Sequence, residues 1–163
     1  MSAEGAPQSA ETIDGHTAEG RPARVVVVAG TWHERIAEGL IAGAERVLET
    51  AGADHELVRV PGSFELPVAA QAALEAGADA VVALGVIIRG GTPHFEYVSS
   101  AATDGLTRVA LDARKPVGFG LLTLDDEQQG LDRAGLEGSK EDKGAEAAEA
   151  ALRMIAVLGG LRD

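Results

Sequence analysis

An almost unbroken apolar run at residues 81–88, VVALGVII, is the feature that most constrains how this chain can fold. Its length and its β-branched residues predict a strand buried on both faces, as in a parallel sheet covered by helices. Two glycines at residues 90–91 end the run. Thr92 and Pro93 then predict a helix start, with Thr92 as the N-cap and Pro93 at the first helical position. His94 falls in the first turn of that helix.

The junction between this strand and this helix is a candidate site for an anionic ligand. Free backbone amides and the helix dipole attract phosphate there, and open α/β sheets bind ligands at the carboxyl ends of their strands. The alternative is turn chemistry alone, because most strand–glycine–helix junctions bind nothing. Arg89, Thr92 and His94 occur together with the two glycines within six positions. This concentration favours a ligand site at which His94 exchanges protons.

One spacing in this stretch is similar to that of a nucleotide-binding loop. Residues 85–92 read GVIIRGGT, but a glycine stands where the lysine of a phosphate loop belongs. The apolar residues 86–88 belong in a strand rather than in an amide-lined loop. The sequence therefore argues against a nucleoside triphosphatase of the phosphate-loop type.

Strand and helix patterns alternate along the rest of the chain. Strands are predicted at residues 24–29, 55–60, 81–88 and 116–123. Helices are predicted after Trp32 to about residue 51, at about residues 64–77, after Pro93 to about residue 113, and at about residues 125–134 and 143–158. This alternation predicts an α/β fold with one parallel sheet that helices cover on both faces.

Residues 1–22 differ in composition from the rest of the chain. They are rich in Gly, Ala, Ser, Glu and Pro, and Ile13 is their only large aliphatic residue besides Met1. Such a segment cannot bury enough apolar surface to order itself, so we expect a disordered N-terminal tail. Residues 23–163 have a suitable length for one domain with an adequate core.

Charge and composition narrow the possible partners. A formal net charge of −12 argues against binding to nucleic acid or to anionic membranes. No apolar stretch approaches the length of a membrane span, and no signal-peptide pattern is found. The absence of cysteine excludes disulfides and zinc–thiolate sites and fits the cytoplasm. The histidines are scattered without metal-ligand spacing, so no metal is indicated.

Side chains that suit ligand binding follow two of the predicted strands. Trp32 follows the first strand, where its indole either stacks on a flat heterocycle or packs in a core or an interface. Glu65 follows the second strand, where its carboxylate either caps a helix or accepts hydroxyl protons from a ligand. Ser63, in the same turn, is interpreted as a helix cap from its residue type.

Three further residues have a default structural interpretation. Phe119 lies in the middle of the fourth predicted strand and by default belongs to the core. Arg133 ends a short predicted helix, where the helix dipole favours a cation. Lys143 begins a helix, where the dipole disfavours a cation, so we expect Lys143 to have another partner.

Six sequence blocks together resemble the lumazine synthase family of riboflavin biosynthesis. In chain order they read AGTWH (29–33), PGSFELP (61–67), ALGVIIRGGTPHFEYV (83–98), GFGLLT (118–123), LDRAG (131–135) and DKG (142–144). The resemblance covers about residues 24–160 and is far more specific than any single motif. Two positions depart from the family pattern, because Gly91 stands where relatives usually carry a side chain and Leu124 replaces a common threonine.

The resemblance implies an enzyme, a transferase that condenses 5-amino-6-(D-ribitylamino)uracil with 3,4-dihydroxy-2-butanone 4-phosphate. Phosphate and water leave, and 6,7-dimethyl-8-ribityllumazine is formed without a metal or an organic cofactor. The family also implies a flavodoxin-like, three-layer α/β/α subunit with a four-stranded parallel sheet, and homopentamers with active sites between subunits. The alternative is a non-catalytic flavin- or lumazine-binding relative. Intact His94 and Arg133 weigh against that alternative, because binding a neutral ring system needs neither.

The resemblance further implies roles for individual residues. His94 would move protons during imine formation and phosphate loss. Gly91, Thr92 and Arg133 would hold the phosphate, with Lys143 near the carbonyl and phosphate side. The residues that would bind the ribitylaminopyrimidine are Trp32, Ser63, Phe64, Glu65, Ile87, Ile88 and Phe119.

The link between the LDRAG and DKG blocks bears on assembly. Relatives that resemble this chain form free pentamers or sixty-subunit shells, and the shell formers typically have a shorter, glycine-containing link. Here the link is LEGSKED at residues 136–142. Its length and its acidic residues Glu137, Glu141 and Asp142 predict a free pentamer, because bulky acidic loops would obstruct and repel a second pentamer.

Overall fold

A computed structural model describes residues 4–7 and 11–163 of the chain; residues 1–3 and 8–10, which fall in the predicted tail, lie outside the described residues. Within the described ranges a four-stranded sheet has the order β2-β1-β3-β4, and every neighbouring pair is parallel. The strands are β1 (Arg24–Gly30), β2 (Asp54–Val60), β3 (Ala80–Ile88) and β4 (Val117–Leu124). The predicted four-stranded parallel sheet is confirmed.

The α-helices of the described residues cover the sheet from both sides. They are α1 (Glu34–Ala51), α2 (Leu66–Glu75), α3 (His94–Ala113), α4 (Glu127–Leu131) and α5 (Lys143–Arg162). α1 and α5 pack on one face of the sheet, and α2 and α3 pack on the other. The expected three-layer α/β/α architecture is therefore confirmed. None of these helices is long and apolar enough to cross a membrane.

Alternating side chains of the central strands build the two cores. In β1, Val25 and Val27 lie in the core beneath α1 and α5, whereas Val26 and Val28 lie in the core beneath α2 and α3. β3 is buried along its length except for the half-buried residue at its end. A strand that faces two helical layers has no polar side, which explains its continuously apolar sequence.

Glycines let α5 approach its neighbours closely. A Cβ built on Gly144 would overlap the carbonyl oxygen of Leu40 in α1, and a Cβ built on Gly118 in β4 would overlap the carbonyl oxygen of Ala147. Any larger residue at either position would push the helix away. This close packing fixes where Lys143, the first residue of α5, lies relative to the sheet.

Two helix starts differ from the sequence prediction. A 3₁₀ turn at Ser63–Glu65 precedes α2, where the sequence predicts one helix over residues 64–77. α3 begins at His94 with Pro93 as its N-cap residue, one position later than predicted. The Thr92 hydroxyl oxygen still accepts a long hydrogen bond of 3.4 Å from the His94 amide. The capping function predicted for Thr92 is thus present in a weak form.

The described part of the N-terminal segment, where the sequence predicts a disordered tail over residues 1–22, contacts the body of the protein. Ile13 packs against the core beneath α1. Arg21 forms a bidentate ion pair with Asp79, with both N–O distances at 2.8 Å. This pair holds the pKa of Asp79 below its ordinary value. These contacts use charged and apolar partners on the body rather than partners within the segment.

Candidate active site

A cavity of about 840 Å³ opens where β1, β2 and β3 end. The 3₁₀ turn and the first two turns of α3 form its walls. Open α/β sheets bind ligands at this edge, and a largely apolar wall with a few polar groups is typical of a small-molecule site. The lining residues are Trp32, His33, Gly62, Ser63, Phe64, Glu65, Val86, Ile87, Ile88, Gly90, Thr92, His94, Phe95, Tyr97, Val98 and Ala101.

The turn after β1 presents Trp32 to this cavity. The Thr31 hydroxyl donates to the Pro61 carbonyl oxygen at 2.8 Å, which ties the turn after β1 to the turn after β2. His33 takes a left-handed backbone conformation with φ of 56° immediately before α1 begins. The Trp32 side chain is 67% exposed, so it is not a core residue. Its indole is available to stack on a flat ligand.

The 3₁₀ turn after β2 supplies a hydroxyl and a carboxylate. Ser63 is 7% exposed and lies over Gly85 of β3, where an added Cβ would be 2.6 Å from the Ser63 hydroxyl oxygen. Neither the 3₁₀ turn nor α2 has a side-chain cap, so the interpretation of Ser63 as a helix cap is wrong. The Glu65 carboxylate does not cap α2 either. A hydroxyl and a carboxylate of this kind can form hydrogen bonds with hydroxyl groups of a ligand.

His94 stands on the cavity wall in the first turn of α3, where its side chain is exposed. Tyr97 and Ala101 follow it at helical spacing and line the same cavity. Sequence analysis did not include these two residues in the site. The spacing of three and seven positions from His94 was the signal that could have found them.

The guanidinium of Arg89, at the end of β3, is already occupied by its neighbours. Its Nε donates to a carboxylate oxygen of Asp125 at 3.1 Å, and another nitrogen lies 3.9 Å from a carboxylate oxygen of Glu96. Its Cζ lies 4.3 Å from the centroid of the Phe95 ring. Within the described residues, no lysine or arginine lines the cavity. An anionic ligand bound there needs a cation from elsewhere.

Arg133 and Lys143 lie in a second cluster around Glu141. The Arg133 Nε is 3.5 Å from one Glu141 carboxylate oxygen, and the Lys143 Nζ is 3.7 Å from the other. Lys143 also donates to Glu146 at 2.7 Å, which confirms the expectation that this lysine has partners. Arg133 donates to the carbonyl oxygen of Gln129 at 2.8 Å, as expected for a cation at a helix C-terminus.

Phe119 does not belong to the core, contrary to its default interpretation. Its side chain is 50% exposed. β4 is an edge strand, so Phe119 has a strand neighbour on one side only, Ala83 of β3. The adjacent Gly120 faces α5, where an added Cβ would be 3.2 Å from the Ala147 side chain. Phe119 therefore points to the opposite face of the sheet at an uncovered edge.

The cavity brings together most of the residues that the sequence assigns to the site, but not all of them. The predicted residues that line it are Trp32, Ser63, Phe64, Glu65, Ile87, Ile88, Thr92 and His94. Gly91, Phe119, Arg133 and Lys143 do not line it. Within one chain, the predicted phosphate-binding cations therefore lie apart from the aromatic and polar side chains that line the cavity.

The surroundings of Gly91 and Leu124 show what each of these two departures from the family pattern can accommodate. A Cβ added at Gly91 would meet nothing within 4 Å, so a side chain could be accommodated there and glycine is not required by packing. Leu124 is 3% exposed in the core beneath α1 and α5. It packs close to Gly130, where an added Cβ would be 2.9 Å from a Leu124 methyl carbon. An apolar residue therefore suits position 124.

One group among the described residues has metal-ligand geometry. The ligand atoms of Glu45, Glu49 and His55 lie within 4.8 Å of one another, where α1 ends and β2 begins. The group does not line the cavity. Sequence spacing did not indicate it because the histidine and the carboxylates come from different elements.

Comparison with known proteins gives a consistent result along the chain. A family model described as 6,7-dimethyl-8-ribityllumazine synthase matches residues 22–159. A protein of that name from Leifsonia xyli is 74% identical over 99% of both chains. One from Clavibacter michiganensis is 67% identical over 99% of both chains. One from Streptomyces avermitilis is 53% identical over 100% of this chain and 98% of its own length.

Proposed function

The chain belongs to the 6,7-dimethyl-8-ribityllumazine synthase family, and we infer that it condenses 5-amino-6-(D-ribitylamino)uracil with 3,4-dihydroxy-2-butanone 4-phosphate. The products are 6,7-dimethyl-8-ribityllumazine, inorganic phosphate and water. The observation that carries this inference is the cavity, which combines an exposed indole, a hydroxyl, a carboxylate and an imidazole on an otherwise apolar wall. The relatives are named as synthases, so they give no support to the alternative of a non-catalytic flavin- or lumazine-binding protein.

The ribitylaminopyrimidine occupies the part of the cavity between Trp32 and the end of β3. The indole stacks on the pyrimidine, and Ile87 and Ile88 supply apolar contacts beside it. Ser63 and Glu65 bind the ribityl hydroxyls, since one side chain offers a hydroxyl and the other accepts protons. Phe64 closes the same side of the cavity. This arrangement is supported by the shared location of these residues on the cavity wall.

The phosphate of the second substrate lies at the start of α3. Backbone amides of the turn that contains Gly91, together with Thr92, bind it at the positive end of the helix dipole. Arg133 and Lys143 supply the cationic charge that the cavity of one subunit lacks. In a chain with a net charge of −12, this local charge has to overcome an unfavourable overall field.

Catalysis depends mainly on holding the two substrates together. The 5-amino group of the pyrimidine attacks the ketone carbon to form an imine with loss of water, and phosphate is then eliminated to leave an enol that tautomerises to a ketone. The ribitylamino nitrogen attacks this new carbonyl carbon, and loss of a second water closes the lumazine ring. Juxtaposition of the two substrates removes the entropic cost of their encounter. His94, exposed at the phosphate end of the cavity, moves protons during dehydration and phosphate elimination.

The residues that line the cavity and the cations Arg133 and Lys143 can form one site only if two subunits contribute to it. Phe119, Arg133 and Lys143 do not line the cavity of their own subunit. We therefore propose that they complete the cavity of a neighbouring subunit in a homopentamer, with Phe119 flanking the pyrimidine on the side opposite Trp32. The chain has no cysteine, which fits a reducing compartment, and we place the enzyme in the cytoplasm.

Replacement of His94 tests its proton-transfer role. We expect His94→Ala to slow turnover by roughly 10- to 10⁴-fold, as loss of an acid–base group does, while the fold is retained. Lumazine fluorescence in the presence of both substrates measures the rate, and His16→Ala serves as a control at an exposed histidine outside the cavity. Unchanged turnover of His94→Ala at every accessible pH would remove His94 from the mechanism.

Replacement of Arg133 tests the placement of the phosphate. Arg133→Ala should raise the KM for the butanone phosphate by roughly 10-fold or more and leave the KM for the pyrimidine nearly unchanged, because a charge-assisted phosphate contact is lost. Lys140→Ala is the matched control, since Lys140 is a cation of the same region that pairs with Asp132 at 3.2 Å. Equal increases in both constants for Arg133→Ala would mean that Arg133 has a structural role.

The loop at residues 136–142 supports a free pentamer rather than a shell, through its bulk more than its charge. Of its three acidic residues, Asp142 pairs with Arg46 at 2.6 Å, and Glu141 lies between two cations. Glu137 alone remains exposed among the three. Ser139 closes the loop by accepting from the Leu136 amide at 2.9 Å, so the loop keeps a compact shape.

Sedimentation velocity at moderate salt distinguishes the two assemblies. We expect a particle of five subunits, because the compact loop obstructs contact between pentamers. Raising the salt concentration should leave this result unchanged, since steric obstruction is not screened. A megadalton species at either salt concentration would contradict the proposal.

A further inference from the structure

Glu141 is a nearly buried carboxylate that touches both cations of the second cluster. Its side chain is 8% exposed, and its two oxygens lie 3.5 Å from the Arg133 Nε and 3.7 Å from the Lys143 Nζ. Buried carboxylates of this kind are normally paired, because an unpaired buried charge is strongly unfavourable. The role of Glu141 is therefore tied to these two cations.

The backbone holds Glu141 beside its partners. Its amide donates to the Asp132 carbonyl oxygen at 3.0 Å, and its carbonyl oxygen accepts from the Gly135 amide at 3.0 Å. The Lys143 amide donates to the Arg133 carbonyl oxygen at 2.9 Å. These bonds cross-link the chain on both sides of the loop. The backbone segments that carry the carboxylate and the two cations are therefore held next to one another.

The charges in this cluster balance. Arg133 and Lys143 contribute two positive charges, and Glu141 and Glu146 contribute two negative charges. The two carboxylates differ in their surroundings, because the side chain of Glu146 is 50% exposed and pairs with Lys143 alone. Glu141 is thus the carboxylate that is desolvated and shared by both cations. Its charge is screened by water much less than that of Glu146.

We propose that Glu141 is a buried counterion of Arg133 and Lys143 that limits how tightly the pair holds phosphate. This inference rests on the proposed function, in which both cations bind the phosphate of the substrate. The same group must be released as inorganic phosphate after each turnover. A cation pair without a buried counterion would retain that anion, whereas Glu141 competes with it for the same two partners.

Glu141→Gln tests this proposal because it keeps the size of the side chain and removes its charge. We expect the inhibition constant of inorganic phosphate to fall by roughly 3- to 30-fold and the shift to shrink at high salt, since a nearby negative charge has been removed. The KM for the butanone phosphate should fall in parallel, and the KM for the pyrimidine should stay within roughly 2-fold. Glu137→Gln, which removes an exposed carboxylate of the same loop, should change each constant by less than roughly 2-fold.

The direction of the change in phosphate affinity distinguishes this role of Glu141 from a merely structural one. Distortion of the loop would weaken phosphate binding, whereas loss of a competing charge strengthens it. Equal or weaker inhibition of Glu141→Gln by phosphate would overturn the proposal. If Glu141→Gln does not fold, Glu141→Ser removes the charge with a smaller polar side chain. We expect Glu141→Ser to bind phosphate more tightly than the wild type. Equal or weaker binding would again overturn the proposal.

A second measurement keeps this inference distinct from the proposed function. Calorimetric titration of the full-length protein with inorganic phosphate needs no turnover, and it should show tighter binding to Glu141→Gln than to the wild type. If the wild type turns over both substrates while the two phosphate affinities are equal, the role of Glu141 is refuted and the proposed function stands. If phosphate binding tightens but the wild type is inactive with both substrates, the role of Glu141 stands and the proposed function fails.

Discussion

Burial of β3 on both faces is the constraint on which the rest of the structure depends. A continuously apolar strand is stable only between two helical layers, so β3 lies inside a parallel sheet with β1 and β4 as its neighbours. The strand ends at the Gly90–Gly91 turn, at the same edge as the turns after β1 and β2. α3 begins there with His94. The packing that stabilises the fold therefore also places the cavity and the imidazole on its wall.

The cavity and the proposed phosphate-binding cations are separate in the structure of one chain. The cavity has aromatic, hydroxyl, carboxylate and imidazole groups, but Arg89, the nearest cation in the sequence, is bound to Asp125 and stacked on Phe95. Arg133 and Lys143 are held elsewhere by the backbone bonds that join the two sides of the loop. Both substrates can be bound at one place only if a neighbour brings these cations to the cavity, which is the basis of the proposed shared site.

Sequence analysis predicted the strands, the layers and most of the cavity, because β-branched runs and glycine turns are local signals. It misjudged Phe119, since nothing in the sequence reveals that β4 is an edge strand with an uncovered face. The contact of Arg21 in the N-terminal segment with the distant Asp79 is likewise not visible in the composition of that segment. The interpretation of Ser63 as a helix cap was wrong because the Ser63 hydroxyl lies over Gly85 of another strand. Each error concerns a contact between elements rather than a local pattern.

Activity of mixed oligomers tests the shared site most directly. His94→Ala and Arg133→Ala subunits are co-expressed with different affinity tags, and oligomers that carry both tags are purified and assayed with both substrates. In these oligomers a site has both His94 and Arg133 at one kind of boundary only. There, an Arg133→Ala subunit supplies His94, and the neighbouring His94→Ala subunit supplies Arg133. With the butanone phosphate well below its KM, where Arg133→Ala sites are poorly active, we expect roughly one quarter of the wild-type activity from a random equal mixture in a closed ring. Mixed oligomers no more active than the two variants alone would contradict a site built from two subunits.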